Sequence, residues 1–299
     1  TPQKHVLIGQ LGFAGRLNQF NSGTELVHVL PNARPLDTSI EPNPLLTLRG
    51  RRIPQNAFVL LWAGGYNTWT DPDTLFAGVE AAMHESPDLY FVSAGGEIPG
   101  HDNVTFRRFK EKVDASPLAK RFLFLGWVPS QDVPSFYLQA DAALNVDLDC
   151  YEAEIGTRTR IIDWIQFRVP VITTALCEPA RKLRERDLIS AFEPEDPGSL
   201  KEAILRVYRD QTAARDRAER ALAFFREEFD ENRVFAPLLE WAANPVFAPD
   251  RVAAGAAPQP GVVEAPFPAS LLARRHEELV NSLAAVQRDS AENQYTPLL

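Results

Sequence analysis

Residues 142–173 read Ala142-Ala-Leu-Asn-Val-Asp-Leu-Asp-Cys-Tyr-Glu-Ala-Glu-Ile-Gly-Thr-Arg-Thr-Arg-Ile-Ile-Asp-Trp-Ile-Gln-Phe-Arg-Val-Pro-Val-Ile-Thr173. Ala142–Val146 and Pro170–Thr173 are apolar runs of strand length, and Thr157–Phe167 between them has helical spacing. Strand, crossover helix and strand imply two parallel strands joined by a right-handed connection. The alternation continues outward. Strands are predicted at Phe58–Trp62, closed by Gly64-Gly65, at Leu89–Ser93, closed by Gly95-Gly96, at Phe122–Leu125, closed by Gly126, and at Leu188–Phe192. Helices are predicted over Asp71–Met83, Asn103–Ala115, Val133–Ala140, Gly198–Asp210 and about 211–229. Asp71 serves as a cap with Pro72 in the first turn, and Ser199 caps the later helix. The expected fold class is α/β: a doubly wound, Rossmann-like parallel sheet with helices on both faces. Ligands of such sheets lie outside the carboxyl ends of the strands, here the loops at 64–65, 95–96, 126–127 and 147–156.

The 299 residues suffice for one large domain or two modest ones. A formal net charge of −9 argues against a general nucleic-acid binder, which needs a basic footprint. It leaves room for a local basic pocket. No run of about 18 uncharged apolar residues is present, so no transmembrane segment is predicted. Cys150 and Cys177 cannot build a disulfide framework and sit in no metal-ligand cluster, so both read as small apolar residues of a cytoplasmic protein. The chain starts at Thr1 rather than Met, as expected of a trimmed chain.

Residues 1–50 do not read as a complete domain. A helical stretch at His5–Leu17 precedes a strand-like run, Glu25–Leu30, and then a Pro-, Asn- and Asp-rich connector ending at Arg49-Gly-Arg-Arg52. Residues 51–243 carry the regular pattern. Residues 244–299 comprise a Pro/Ala-rich linker and a helix over 271–287, whose Leu272, Leu279, Leu283 and Val286 suit helix packing or self-association. No internal repeat is visible.

The chemistry gathers in Glu152–Asp163. Gly156 and Thr157 open a helix, so free N–H groups and the positive dipole end face the sheet's carboxyl edge. Arg158 and Arg160 add two cations there, an arrangement suited to a pyrophosphate. The plain alternative is a solvated helix with an i, i+4 pair of Glu154 and Arg158. Gly64 and Gly65 allow close backbone approach to a phosphate or sugar, or simply a tight turn. Trp127 serves equally as a binding aromatic or as a core or lid residue. Asp147-Leu-Asp149 spells a metal-binding Asp-x-Asp, a pairing common by chance, and no metal site is assigned. The histidines, His101 included, show no ligand spacing. Gly64-Gly65-Tyr66 breaks the Gly-x-Gly-x-x-Gly spacing of nicotinamide-binding domains.

These segments resemble a subgroup of the family-four retaining glycosyltransferases of GT-B fold. In that subgroup an acid precedes a Ser-Phe-Arg-Thr-Arg-Leu-Leu-Asp-Tyr block and a Gly-Leu-Pro-Val-Val strand. Here Glu152 stands for the acid, Arg158-Thr159-Arg160 for the Arg-Thr-Arg, Asp163-Trp164 for the Asp-Tyr and Pro170-Val171 for the strand; Gly156-Thr157 departs from Ser-Phe. Leu61-Trp-Ala-Gly-Gly-Tyr-Asn-Thr-Trp-Thr-Asp-Pro72 is similar to the subgroup's Trp-Gly-Gly-Gly-x-x-x-Trp-x-Asp-Pro loop. Gly126-Trp-Val-Pro129 with Asp141 matches a third block, and Gly15-Arg16-Leu17-Asn18 resembles a Gly-Arg-Ile-Asn at the end of the first domain. The resemblance covers roughly residues 57–210 and fades after 245.

It implies a nucleotide-sugar-binding half with most of the acceptor-binding half missing on the N-terminal side, residues 1–50 being its remnant and connector. Asp163 would bind ribose, Glu152 would approach the donor sugar, and Arg158, Thr159 and Arg160 would hold the diphosphate, with Arg158 and Arg160 stabilising the leaving group. Gly64 and Gly65 would contact the donor, and Trp127 and Val128 would lie beside the base. No cofactor is expected beyond the nucleoside-diphosphate sugar donor, and no protein nucleophile is assigned. The implied reaction is hexosyl transfer to a glycan or other acceptor in polysaccharide biosynthesis, in the cytoplasm or at the inner membrane face. The rival reading is a non-catalytic nucleotide-sugar-binding or scaffolding module assembling through its C-terminal helix.

Overall fold

The structure, a computed structural model, describes residues 1–31 and 42–253. The helix expected at 271–287, with the self-association assigned to it, lies outside the described residues. By its contacts the chain divides into two units. One comprises Thr1–Gly15 and Glu25–Pro245; the described residues of the other are Arg16–Thr24 and 246–253. Within the second, Arg16 grips Asp250 with two hydrogen bonds, Nε to Oδ2 at 2.6 Å and Nη2 to Oδ1 at 3.1 Å.

The first unit is built on six parallel strands: β1 (Phe58–Ala63), β2 (Leu89–Ala94), β3 (Phe122–Gly126), β4 (Ala142–Asn145), β5 (Val171–Thr173) and β6 (Ser190–Ala191). Their order in the sheet is β3-β2-β1-β4-β5-β6, with every pairing parallel. The expected doubly wound α/β fold is what forms. β1 is apolar at every position because both its faces are covered. Val59, Leu61 and Ala63 enter one core layer with Ile161, Ile165, Leu222 and Phe225; Phe58, Leu60 and Trp62 enter the other with Leu75, Val79, Phe109 and Ile204. The covering helices follow from their stripes: α2 (Pro72–Glu85), α3 (Val104–Ala115) and α8 (Pro197–Arg209) on one face, α6 (Thr159–Gln166) and α9 (Gln211–Glu228) on the other.

Local chemistry sets the helix starts. Asp71 Oδ1 accepts from the Asp73 and Thr74 amides at 3.0 Å, the predicted cap. For α8 the cap is Asp196, whose Oδ1 accepts from Ser199 N, while Ser199 Oγ accepts from the Glu193 amide. The expected Ser199 cap is therefore one turn too late, Pro197 being the first helical residue. The expected strand at Glu25–Leu30 is irregular chain, since an apolar run becomes a strand only where a ladder partner exists. The first helix, α1, spans Pro2–Phe13. A short helix α4 (Val133–Tyr137) precedes β4, and α5 (Tyr151–Ile155) precedes α6. Two further helices, α7 (Glu178–Glu185) and α10 (Glu231–Ala243), were not expected: α7 has only eight residues, and α10 holds Pro237 inside it, a residue that ordinarily breaks a helix. Cys177 is buried, and burial pushes its thiol pKa up, as befits an inert packing residue. No helix among the described residues is long and apolar enough to cross a membrane.

Three glycines let the strand ends converge. Gly64 donates to Ala94 O at 2.8 Å and Gly95 donates to Gly126 O at 2.7 Å. Gly95 has φ +141°, and a Cβ there would lie 2.1 Å from Gly64 O. Gly95→Ala should cost about 2 kcal/mol or more, because strain and overlap add with no side chain free to yield. The fall is to be read from the midpoint of denaturant unfolding, and an unshifted midpoint would contradict this packing.

Candidate functional site

The strand order reverses between β1 and β4, and ligands of doubly wound sheets bind at the carboxyl edge beside such a reversal. The β1–α2 loop (64–71) and the β4–α6 segment (146–158) meet there. They are stitched together by Asp71 N to Val146 O at 3.2 Å and Leu148 N to Trp69 O at 2.8 Å.

Gly64, Gly65, Arg160 and Trp127 come together here. Arg160 stands on the first turn of α6 with its guanidinium 4.9 Å from the Trp62 ring centroid, and its Nη2 donates to Gly65 O at 3.2 Å. A Cβ on Gly64 would lie 3.0 Å from Arg160 Nη2, and one on Gly65 would lie 2.6 Å from Ile98 Cγ1 and 3.3 Å from the Trp127 ring. The glycines thus serve close packing of the site's own parts, and the Gly64 amide is engaged by Ala94 rather than open to a ligand. Arg160 Nη1 is buried and has no hydrogen-bond partner among the described residues. Burial pulls the Arg160 pKa down, Asp147 opposes the fall and the Arg158 charge adds to it. An unmatched buried donor on a desolvated cation calls for an anion.

Arg158 is placed differently. Its Nε pairs with Asp147 Oδ2 at 2.7 Å, and both side chains are buried, at 7% and 3% exposure. Its Nη2 donates to Glu152 O at 3.2 Å, and its guanidinium lies 4.9 Å from the Trp69 ring centroid. The plain alternative of a Glu154–Arg158 helix pair is not realised, because α5 ends at Ile155 and the chain turns before α6. The helix expected to open at Gly156 and Thr157 starts instead at Thr159, and those two residues belong to the turn before it.

Glu152 is exposed on α5, Thr159 is exposed at the first position of α6, and Asp163 is half-buried one turn further on. Trp127 is 58% exposed with Nε1 donating to Glu97 O at 2.8 Å, so it is a held surface ring rather than a core aromatic. Val128 beside it is half-buried against the core. His101 lies exposed in the β2–α3 loop, its Nε2 2.8 Å from Asn67 Oδ1. Sequence reasoning missed Asp147 as the Arg158 partner. The usable signal was its place immediately beyond the carboxyl end of β4, where the fold gathers ligand-facing residues.

Comparison with known proteins agrees with this geometry. The sequence profile of the family described as glycosyl transferases group 1 matches residues 57–210, just over half of the chain. Among solved structures, sucrose-phosphate synthase from Thermosynechococcus elongatus is similar at 17% identity, with 81% of this chain and 56% of that one covered and a TM-score of 0.57. A glycosyltransferase from Rickettsia africae matches at 19% identity, over 62% of this chain and 47% of that one, with a TM-score of 0.53. Anabaena HepE, solved with UDP and glucose, matches at 18% identity, over 63% and 48%, with a TM-score of 0.50. These identities establish a shared fold, and this chain spans about half the length of each of the three. No curated protein matches it. By the profile match and the doubly wound sheet, the chain belongs to the glycosyl transferases group 1 family and carries the C-terminal-domain fold of the GT-B enzymes.

Proposed function

We propose that this chain is the donor-binding half of a retaining glycosyltransferase, which moves a sugar from a nucleoside-diphosphate sugar to a glycan or other acceptor. The observation that carries this reading is the buried, unpartnered Nη1 of Arg160 at the carboxyl edge. Arg158 is paired with Asp147, whereas Arg160 has no carboxylate at ion-pair distance among the described residues. A diphosphate would supply both the missing acceptor and the missing charge. The first turn of α6 would add its dipole to the same anion. As the glycosidic bond to the donor breaks, negative charge grows on the departing diphosphate; a fixed cation in a dry setting stabilises that charge without reorganising.

In this arrangement Asp163 takes the ribose hydroxyls and Glu152 faces the sugar. Trp127, with Val128, offers the base a platform beside Gly65. HepE, which shares the fold, was solved with UDP and glucose, which supports a nucleoside diphosphate as the ligand class. The retaining outcome, a hexose as the transferred group and a role in polysaccharide assembly follow the family resemblance. So does an acceptor held by a second domain that completes the cleft. A cytoplasmic setting is part of the same proposal.

Titration of the chain with UDP and with GDP, each with and without magnesium, tests the reading. One nucleotide should bind without the metal, and Arg160→Ala should weaken it roughly tenfold or more, as expected for a charge-assisted hydrogen bond. Failure of both nucleotides to bind would overturn the donor-binding assignment. Asp163→Asn should weaken the nucleotide while leaving inorganic pyrophosphate binding unchanged; equal losses for the two ligands would remove Asp163 from the ribose.

A further inference from the structure

We propose that Arg158 is a positioning residue rather than a diphosphate ligand, and that Asp147 and Gly156 act with it to hold the turn at 150–158 in the shape the donor needs. The inference rests on the donor-binding reading above and divides the work of the two arginines.

Three sides of the Arg158 seat are built from this chain's own groups. Asp147 is the first. Its Oδ2 accepts from Arg158 Nε at 2.7 Å and from Asn145 Nδ2 at 2.9 Å, and its amide donates to Thr174 Oγ1 at 3.4 Å, so the carboxylate is fixed to the ends of β4 and β5. Trp69 is the second, its ring centroid 4.9 Å from the guanidinium carbon. Gly156 is the third. A Cβ there would lie 2.5 Å from Arg158 Nη1 and 2.6 Å from Glu152 O. Gly156 has φ −69°, which any residue adopts, so glycine is required there for space and not for backbone conformation.

Glu152 O joins the two halves of this seat, because it accepts from Arg158 Nη2 at 3.2 Å and from the Gly156 amide at 3.1 Å. The guanidinium therefore clamps the last turn of α5, which carries the exposed Glu152, to the end of the sheet. Its charge is already balanced by a buried carboxylate, leaving little attraction for a second anion. Arg160, two residues on, has among the described residues no carboxylate at ion-pair distance and one buried donor unmatched. Alike in sequence, the two cations are electrostatically different sites.

The test separates these roles by sign. Asp147→Asn makes the surroundings of Arg158 more positive by one charge, so if Arg158 contacts the diphosphate, UDP or GDP should bind as well as before or more tightly. A clamp predicts the reverse: affinity falls roughly tenfold or more, the scale of loss from a misplaced binding group, and amides 150–158 exchange hydrogen faster in the free protein. Gly156→Ala alters no charge and should act in the same direction, which keeps the proposal testable if Asp147→Asn fails to fold. Arg158→Lys retains the cation without the planar fork and should not restore binding. Arg160→Ala should weaken the nucleotide without speeding exchange at 150–158. Wild-type affinity in Gly156→Ala or Arg158→Lys, or unchanged or tighter binding in Asp147→Asn, overturns the proposal. Should the unaltered protein bind neither nucleotide, the donor reading fails, and exchange at 150–158 still decides the clamp: faster in the variants sustains it, unchanged overturns it.

Discussion

Everything at the carboxyl edge depends on β1 being buried on both faces. Six consecutive apolar residues, Phe58–Ala63, cannot lie on a half-exposed sheet, so helices must cover both sides. Right-handed crossovers then carry the chain one way from β1 through β2 to β3 and the other way from β4 through β5 to β6. The reversal puts the switch point between β1 and β4, and no separate instruction is needed to make it. What the local sequence adds is convergence of the strand ends. Gly64, Gly95 and Gly126 all have positive φ, and the amide links between them draw the loops of β1, β2 and β3 into one rim.

The Arg160 guanidinium is a positive charge held at that edge in a chain whose formal net charge is −9. Burial makes this consequential, because a surface cation would be screened, whereas Arg160 is pressed onto Trp62 with one donor hidden from water and unmatched. The lowered pKa of Arg160 states the same imbalance in terms of protons: the folded site disfavours a charge that it nonetheless holds in place. Guanidinium is the group that tolerates this, since it stays protonated where an ammonium would give up its proton.

The fold was legible because its strongest signals are local. The β1 run, the closing glycines and the Asp71 cap each act within a few residues, and the sheet follows from their order. Elements that depend on distant partners were not legible. Glu25–Leu30 has strand-like composition and lies in no ladder, whereas α7 is only eight residues long and α10 contains Pro237, and both are helical all the same. At the site, composition located the cations but not their partners. Asp147 and Arg158 are eleven positions apart across a loop and a short helix, and nothing in their spacing declares a buried ion pair. Likewise the glycine at 156 reads as a flexible turn, although what it provides is room for a guanidinium.

The pairing of arginines with tryptophans explains why two separated blocks of sequence occur together. Trp62 lies under Arg160 and Trp69 under Arg158, each at 4.9 Å, so the stretch from Leu61 to Pro72 is the floor on which Arg158-Thr159-Arg160 stands. Neither block can do its work alone. Without the rings the guanidiniums would lose the apolar faces that fix their planes; without the arginines, the Trp62 and Trp69 faces would lack the cations above them. The two contacts also divide cleanly, since Trp62 belongs to the rigid strand and Trp69 to the loop beyond it. The arginine with the unmatched donor is therefore seated on the stiffest element of the fold, and the arginine tied to Asp147 braces the more extended loop around it. A cation that must meet developing charge without moving is best placed on a strand buried from both sides.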